Sequence, residues 1–259
     1  MNLTIVAATG GIGRHLLEQA VAGGHRVTAV VRDPARLARQ TGAVAGARPL
    51  PVPELALATG RATNAASLEP EAPGTRLVIS VVATDLAAPD PATLEGAVHG
   101  ADAVLSALGP RSPKEIGIAE RGTRAIVEAM QATGVRRILA VGAAPVSTVP
   151  SPDRPDLPPH DPGDGFFMCH LLGPMLKAVL GRRYADLARM EGLLRESALE
   201  WTVIRPPQLT DGPLTQRFRT ARGTNLRRGL RVSRADVAHC MLQALEQPDT
   251  VNQTVGVAN

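Results

Sequence analysis

The stretch VAATGGIG, residues 6–13, decides the fold expected of this chain. It follows the apolar run LTIV and opens a segment, residues 11–22, whose apolar residues recur at helical spacing, and RVTAVV (residues 26–31) then follows as a second strand. A strand, a glycine turn and a helix within a short βαβ unit predict a dinucleotide site, because glycines let the backbone approach a pyrophosphate and the helix N-terminus favours negative charge.

One position departs from that pattern, because Ala7 stands where a first glycine is expected. The extra methyl group costs about 1 kcal/mol if the backbone there is left-handed and almost nothing if it is extended. Since Gly10, Gly11 and Gly13 remain, we expect the turn to bind a dinucleotide.

Apolar runs and amphipathic segments alternate through the rest of the chain. Further strands are expected at residues 77–83, 102–108, 136–142, 201–206 and 253–258, and further helices after Pro91 and at about 115–132, 183–197 and 232–248. This alternation predicts an α/β fold: a Rossmann-type, doubly wound parallel sheet with a small substrate-side lobe, in one domain over residues 1–259.

Three segments interrupt the alternation. Residues 41–75 are rich in Ala, Pro, Gly and Thr, and we expect an insertion or flexible loop there. Residues 150–182 combine a proline-rich stretch with an apolar helical segment and are expected to form a lid over the carboxyl edge of the sheet. Residues 207–231 are expected to form a substrate-side loop.

Composition argues against several other classes of protein. The net charge is +4, but the arginines are scattered and aromatic residues make up 2% of the chain, so no nucleic-acid surface is expected. The two cysteines, Cys169 and Cys240, and the six histidines show no metal-ligand spacing, and no metal is expected. No apolar run reaches about 18 residues, so we expect a cytoplasmic protein without a membrane partner.

The end of the second strand indicates which dinucleotide is bound. Arg32 directly follows the apolar run and Arg36 lies one turn further on, at the distance from the glycines where dinucleotide folds read the adenosine ribose. Two guanidinium groups there can converge on a 2′-phosphate, which favours NADP(H) over NAD(H). The alternative is that both arginines are merely solvated, and Asp33 is expected to cap the helix that Pro34 begins.

Several blocks in this order resemble the atypical short-chain dehydrogenases/reductases. ATGGIG, GHRVTAVVRDPARL, GADAVLSALG, LLRESALEWTVIRPPQLTDGPLT and SRADVAHCML are similar to the NAD(P)H-binding, NmrA-like branch, which includes the flavin reductases also called biliverdin reductase B. The resemblance covers nearly the whole chain except residues 41–75 and the proline-rich stretch.

The resemblance implies a cofactor site distributed over the ends of six strands. Its members are Ala7, Thr9, Gly10, Gly11, Ile12 and Gly13 at the pyrophosphate, Arg32 and Arg36 at the 2′-phosphate, Thr84, Asp85 and Leu86 on the adenine side, Ala107, Leu108 and Gly109 at the ribose, and Gly142, Ala143, Pro206, Pro207, Gln208 and Leu209 on the nicotinamide side.

The catalytic residues depart from the family. Standard short-chain dehydrogenases use a Tyr with a Lys four residues on, but Tyr184 is the only tyrosine here and Ala188 stands four residues after it. A serine and a histidine of the flavin reductases align with Ala143 and Gln208. The polar candidates that remain for a catalytic role are Gln208, Ser147 and Tyr184.

These observations predict an NAD(P)H-dependent reductase that transfers hydride to a flavin, quinone or other conjugated small molecule without a Tyr/Lys pair. The alternatives are a non-catalytic NADP(H)-sensing regulatory or scaffold protein of the NmrA type, which would bind a protein partner, and a cofactor-assisted isomerase or dehydratase. Arg182 and Arg183 could attract an anionic substrate, although a solvated helix end is the favoured interpretation of that pair.

Overall fold

The computed structural model describes residues 1–44, 79–165, 170–171 and 173–259. The helices are α1 (Gly11–Ala22), α2 (Pro34–Val44), α3 (Pro91–Val98), α4 (Ile118–Thr133), α5 (Gly173–Glu196) and α6 (Arg234–Leu245). The strands are β1 (Asn2–Val6), β2 (Arg26–Val31), β3 (Ile79–Ala83), β4 (Ala103–Ser106), β5 (Arg137–Val141), β6 (Glu200–Arg205), β7 (Gln208–Thr210), β8 (Arg219–Arg222), β9 (Arg231–Ser233) and β10 (Gln253–Ala258).

In the described part of the chain, eight strands form one sheet in the order β3-β2-β1-β4-β5-β6-β10-β8. All neighbouring pairs are parallel except β8, which runs antiparallel to β10 at one edge. The strand order reverses between β1 and β4, and in open α/β sheets such a reversal opens a crevice at the carboxyl ends of the strands. The predicted doubly wound sheet is therefore confirmed.

Helices cover both faces of this sheet. On one face α1 and α6 pack against apolar residues of β1, such as Leu3 and Ile5. On the other face α3, α4 and α5 bury a second cluster that includes Ile126 and Trp201. Continuous apolar strands are expected when both faces of a parallel sheet are covered, which explains runs such as LTIV.

The start of α4 differs from the sequence expectation of a helix from about residue 115. Residues Pro113–Glu115 form a separate 3₁₀ turn that ends at Ile116, and Gly117, with a left-handed backbone (φ 94°), is the N-cap of the helix. The helix begins at Ile118, where the backbone N–H groups of Gly117, Ala119 and Glu120 donate to the Asp186 carboxylate. A cap supplied by another helix cannot be read from local sequence.

The three irregular segments contain more regular structure than expected. Helix α2 extends through residue 44, and residues 45–78, which include most of the expected insertion, lie outside the described residues. Helix α5 runs without a break through Gly181 and joins the apolar segment to the amphipathic one. Within residues 207–231, β7 pairs with β9 in a small parallel sheet, while β8 extends the main sheet.

Candidate functional site

A cavity of about 530 Å³ opens at the carboxyl edge of the sheet, along the strand ends. Its walls come from the glycine turn after β1, the segments that follow β2, β3, β4 and β5, and one side of α5. The residues predicted for the cofactor that line it are Ala7, Thr9, Gly10, Gly11, Ile12, Arg32, Thr84, Asp85, Leu86, Ala107, Leu108, Gly109, Gly142, Ala143 and Leu209. The structure thus brings together residues from five strand ends that are far apart in sequence.

The glycine turn leaves space that a side chain would fill. A Cβ atom on Gly13 would lie 2.2 Å from the Ala7 carbonyl oxygen, so the close approach of α1 to β1 requires glycine at this position. The turn is closed by a hydrogen bond from the Gly10 N–H to the Ala7 carbonyl at 2.8 Å. No side chain caps the first turn of α1 within the described residues, so its N–H groups face the cavity and fit a pyrophosphate.

Ala7 adopts the left-handed conformation that favours glycine, with φ at 59°. The sequence left open whether the backbone at Ala7 is left-handed or extended, and the structure has the strained, left-handed form. The strain costs on the order of 1 kcal/mol and does not distort the turn, since Gly10 still closes it.

Arg234, the first residue of α6, lies against the glycine turn. A Cβ atom on Gly11 would lie 2.7 Å from Arg234 Cδ, so the arginine side chain packs directly on the turn. The guanidinium Nη1 donates to Asp211 Oδ1 at 2.6 Å, and the side chain is partly exposed at the cavity wall. This places a positive charge beside the N-terminus of α1.

An acidic residue joins two arginines at the end of the cavity beyond β2. Arg32 Nη2 donates to Glu115 Oε1 at 3.2 Å, and Arg111 Nη2 lies 3.5 Å from the same oxygen. The backbone N–H of Arg111 donates to Glu115 Oε2 at 2.9 Å. This backbone hydrogen bond and the two positive charges hold the pKa of Glu115 below its usual range, although partial burial acts against them.

Helix α5 supplies the opposite wall, with Leu180, Arg183, Tyr184 and Leu187 lining the cavity. Tyr184 is 8% exposed, and within the described residues no group hydrogen-bonds its hydroxyl. Burial raises the pKa of Tyr184, although the charge of Arg183 opposes the shift, so the phenol is protonated at neutral pH. A neutral phenol can donate a hydrogen bond but cannot act as a base.

A buried ion pair supports the floor of the cavity at Gly142. Arg205, the last residue of β6, donates through Nε to Glu191 Oε1 at 2.9 Å, and both side chains are almost fully buried. A Cβ atom on Gly142 would lie 2.8 Å from Glu191 Oε1, so glycine is required there too. Arg195 extends the network from Glu191 to Asp153 of the proline-rich stretch.

Several residues predicted for the site do not line this cavity. Gly13 packs behind the turn, and Arg36 is exposed on α2, where its backbone N–H donates to the capping residue Asp33. Pro206 and Pro207 connect β6 to β7 outside the cavity lining. Lid residues 150–165 do not line it either.

The catalytic candidates Gln208 and Ser147 also lie outside the cavity lining. Gln208 is exposed on β7, and its Oε1 accepts from Arg231 Nε at 3.2 Å. Ser147 is buried, donates to the Ala144 carbonyl at 3.0 Å and accepts from Asn225 Nδ2 at 3.3 Å. Of the three candidates, only Tyr184 has its side chain at the cavity.

Sequence reasoning missed Arg111, Glu115 and Arg234. Arg111 and Glu115 come after β4, so their position at the carboxyl edge and their i, i+4 spacing are signals that could have found them. Arg234 has no such signal, because its neighbour Gly11 is distant in the chain.

The described residues contain no cluster of three or more His, Cys, Asp or Glu side chains able to hold a metal ion. Burial raises the pKa of the Cys240 thiol to about 12, which disfavours the reactive thiolate at neutral pH. None of the helices in the described ranges is both long enough and apolar enough to cross a membrane.

Comparison with known proteins agrees with this geometry. A family model described as NAD(P)H-binding matches residues 7–89 and 78–248. Three solved structures share the fold over 100% of this chain: a short-chain dehydrogenase/reductase from Veillonella parvula in complex with NADP (18% identity, 94% of that chain, TM-score 0.68), the anaerobillin reductase ChuY from Escherichia coli O157:H7 (19%, 97%, 0.66) and a proposed NADH-flavin reductase from Streptococcus pneumoniae TIGR4 (22%, 99%, 0.64).

Proposed function

Because the chain belongs to the NAD(P)H-binding family, we propose that it is a reductase that uses NADPH to reduce a flavin, quinone or other conjugated small molecule. The observation that carries the proposal is the cavity, which joins the glycine turn to an apolar wall without a Tyr/Lys pair. Two proteins of the same fold, the anaerobillin reductase and the proposed NADH-flavin reductase, act on conjugated acceptors according to their names.

The residues of the cavity fit a dinucleotide along its length. The N–H groups of α1, with Arg234 beside them, would hold the pyrophosphate, and Arg32 would hold a 2′-phosphate. Gly142 and Ala143 would form the floor on the nicotinamide side, because the Glu191–Arg205 pair leaves no space for a larger side chain at Gly142. Bound there, the nicotinamide supplies a hydride.

The remaining task of the protein is to bind the acceptor and exclude water. Leu180, Leu187 and Leu209 give the cavity an apolar side on which a planar conjugated acceptor can pack. Tyr184 can orient the acceptor by donating its hydroxyl proton in a hydrogen bond, while solvent supplies the proton that completes reduction. Such a reaction needs orientation more than acid–base catalysis.

The experiment that tests this proposal is a panel of acceptors. Purified protein is mixed with NADPH and with FMN, biliverdin or a quinone, and absorbance at the nicotinamide band is followed. We expect turnover with at least one acceptor. Tight NADPH binding without turnover of any acceptor would overturn the reductase and favour the NADP(H)-sensing alternative, in which a protein partner replaces the substrate.

The preference for NADPH rests on Arg32, which is half-exposed at the cavity edge. In Arg32→Ala, we expect the affinity for NADPH to fall by roughly tenfold or more, because a charge-assisted hydrogen bond is lost, while the affinity for NADH changes little. Titration calorimetry of both cofactors measures the two effects. Equal losses for NADPH and NADH would contradict a role for Arg32 at the 2′-phosphate.

A further inference from the structure

The side chains around Glu115 form a bridge across the cofactor cleft. Arg32 follows β2 and Glu115 follows β4, and these strands lie on opposite sides of β1 in the sheet. The hydrogen bond between them, 3.2 Å long, therefore spans the end of β1, where the glycine turn lies. A dinucleotide bound to the turn would place its adenosine end at this bridge.

Glu115 lies where an anion bound by both arginines would lie. Its Oε1 is 3.2 Å from Arg32 Nη2 and 3.5 Å from Arg111 Nη2, so a single carboxylate oxygen is shared by two guanidinium groups. Both arginine side chains are about half exposed, at 49% and 47%, and both residues line the cavity. Neither guanidinium has another ion-pair partner in the described part of the chain.

We propose that Arg111 is a second ligand of the cofactor 2′-phosphate, and that Glu115 holds Arg32 and Arg111 together until both arginines exchange its carboxylate for the phosphate. This inference rests on the proposed NADPH function and adds a specificity-determining pair from the loop after β4. Arg36, which was predicted for this role, lies outside the cavity lining, so Arg111 takes its place.

The exchange has a direct consequence for cofactor choice. A phosphate dianion binds two guanidinium groups more strongly than a carboxylate does, so NADPH can release Glu115. NADH has no 2′-phosphate, and with it the bridge from Arg32 to Glu115 stays closed. The Glu115 carboxylate therefore competes with NADPH but not with NADH. The affinity for NADPH is lower than it would be if both arginines were free.

The test compares Arg32→Ala with four further variants by titration calorimetry, which needs no turnover. In Arg111→Ala, we expect NADPH to bind roughly tenfold more weakly, and NADH to bind as it does to the unaltered protein within about twofold. In Glu115→Gln, we expect NADPH to bind roughly fivefold more tightly, because a negative charge has been removed next to the phosphate site. The affinity for adenosine 2′,5′-bisphosphate should change as the affinity for NADPH does, and the affinity for adenosine 5′-phosphate should change as that for NADH does.

Two variants on the neighbouring helix serve as matched controls. Arg124 and Glu120 form an ion pair with the same i, i+4 spacing, with Arg124 Nη2 at 3.6 Å from Glu120 Oε1, but neither residue lines the cavity. Arg124→Ala and Glu120→Gln make the same changes of net charge and should leave both affinities unaltered. If these two controls change the affinities as much as Arg111→Ala and Glu115→Gln do, the effects come from long-range electrostatics alone, and the proposal is overturned.

The remaining outcomes separate this inference from the proposed function. If Arg32→Ala weakens NADPH binding while Arg111→Ala does not, Arg111 is not a second ligand of the 2′-phosphate, and the proposed preference for NADPH is unaffected. If Glu115→Gln weakens NADH binding instead of strengthening NADPH binding, the carboxylate binds the ribose hydroxyl, and the proposed exchange is wrong. If the unaltered protein binds neither cofactor, the proposed function itself fails.

Discussion

At Ala7 a single methyl group causes the conformational strain of the glycine turn. The residue has a φ of 59°, and its carbonyl accepts the hydrogen bond that closes the turn. The same carbonyl lies close to Gly13, where a Cβ atom would be only 2.2 Å from it. The chain therefore carries a local strain on the order of 1 kcal/mol at the centre of its site.

Replacement of this alanine should stabilise the protein. In Ala7→Gly, we expect the free energy of unfolding to rise by about 1 kcal/mol, because glycine adopts the left-handed region without steric cost. Urea unfolding followed by circular dichroism measures the change. The control is Ala8→Gly, which should destabilise the protein, because Ala8 does not have a positive φ. A loss of stability in Ala7→Gly would contradict the observed conformation.

Tyr184 is the one predicted catalytic candidate with its side chain at the cavity, and its hydroxyl is protonated. In Tyr184→Phe, we expect kcat to fall by less than about tenfold, because solvent provides the proton in the proposed reaction, whereas removal of a true general acid costs about 10² to 10⁴. Steady-state kinetics with the best acceptor measures the change, and the Kd of NADPH should stay constant. A loss of 10² or more would assign Tyr184 as the proton donor.

At the scale of elements, Asp186 connects two helices. It is fully buried on α5, and its carboxylate accepts three backbone N–H groups at the start of α4, at 2.8, 3.3 and 3.0 Å. Tyr184 and Leu187 on either side of it line the cavity. The residue that begins α4 therefore also fixes the cavity wall.

Removal of this cap should destabilise the protein strongly. In Asp186→Ala, we expect the free energy of unfolding to fall by about 2–3 kcal/mol, because three donors lose their buried acceptor. Asp249→Ala is the control: Asp249 forms an exposed ion pair with Arg222, and its loss should cost at most about 0.5 kcal/mol. Similar unfolding midpoints for the two variants in urea would show that Asp186 is not a cap.

The elements of the main sheet were predictable where their signals are local. The alternation of apolar runs and amphipathic segments predicted the doubly wound sheet, and Asp33 before Pro34 predicted a cap that the structure confirms. The start of α4 was missed, because its acceptor comes from a residue 69 positions away from Gly117. Local sequence cannot reveal a cap of that kind.

On the scale of the whole molecule, buried carboxylates set the response to acid. Burial alone would raise the pKa of Asp236, but hydrogen bonds from Thr215, Gln216 and Ser233 lower it below its usual value. Burial is likewise overcome at Asp153, whose pKa is lowered by Arg195 and Ser151. In the acid range the unfolded chain therefore binds more protons at these groups than the folded chain does.

Stability should accordingly decline at low pH. We expect the contribution of these carboxylates to be fully present above about pH 4 and to be lost as the pH falls through their lowered folded-state pKa values. Urea unfolding between pH 3 and pH 7 measures this dependence, and Asp236→Asn should reduce its slope. A stability that rises from pH 5 to pH 3 would contradict the assignment.

The candidate site was predicted in outline and missed in its charged contacts. Arg32 was predicted from its distance from the glycine turn, Thr84 was implied by the family resemblance, and both residues line the cavity. The contact between Arg32 and Glu115 was not predicted, because it joins residues 83 positions apart. Gln208 and Ser147 stay predictions without a place in the cavity, since their polar atoms bond to Arg231 and Ala144 instead.

Helix α5 separates two kinds of constraint along one segment. Leu180, Arg183 and Leu187 line the cavity, while Asp186 caps α4 and Glu191 forms the buried ion pair with Arg205. Substitutions at the cavity positions can therefore accumulate in descendants of this protein while the cap and the buried ion pair stay unchanged. The ligand preference of the cavity can diverge rapidly in evolution on such a helix, and a library restricted to those three positions would retain a folded scaffold.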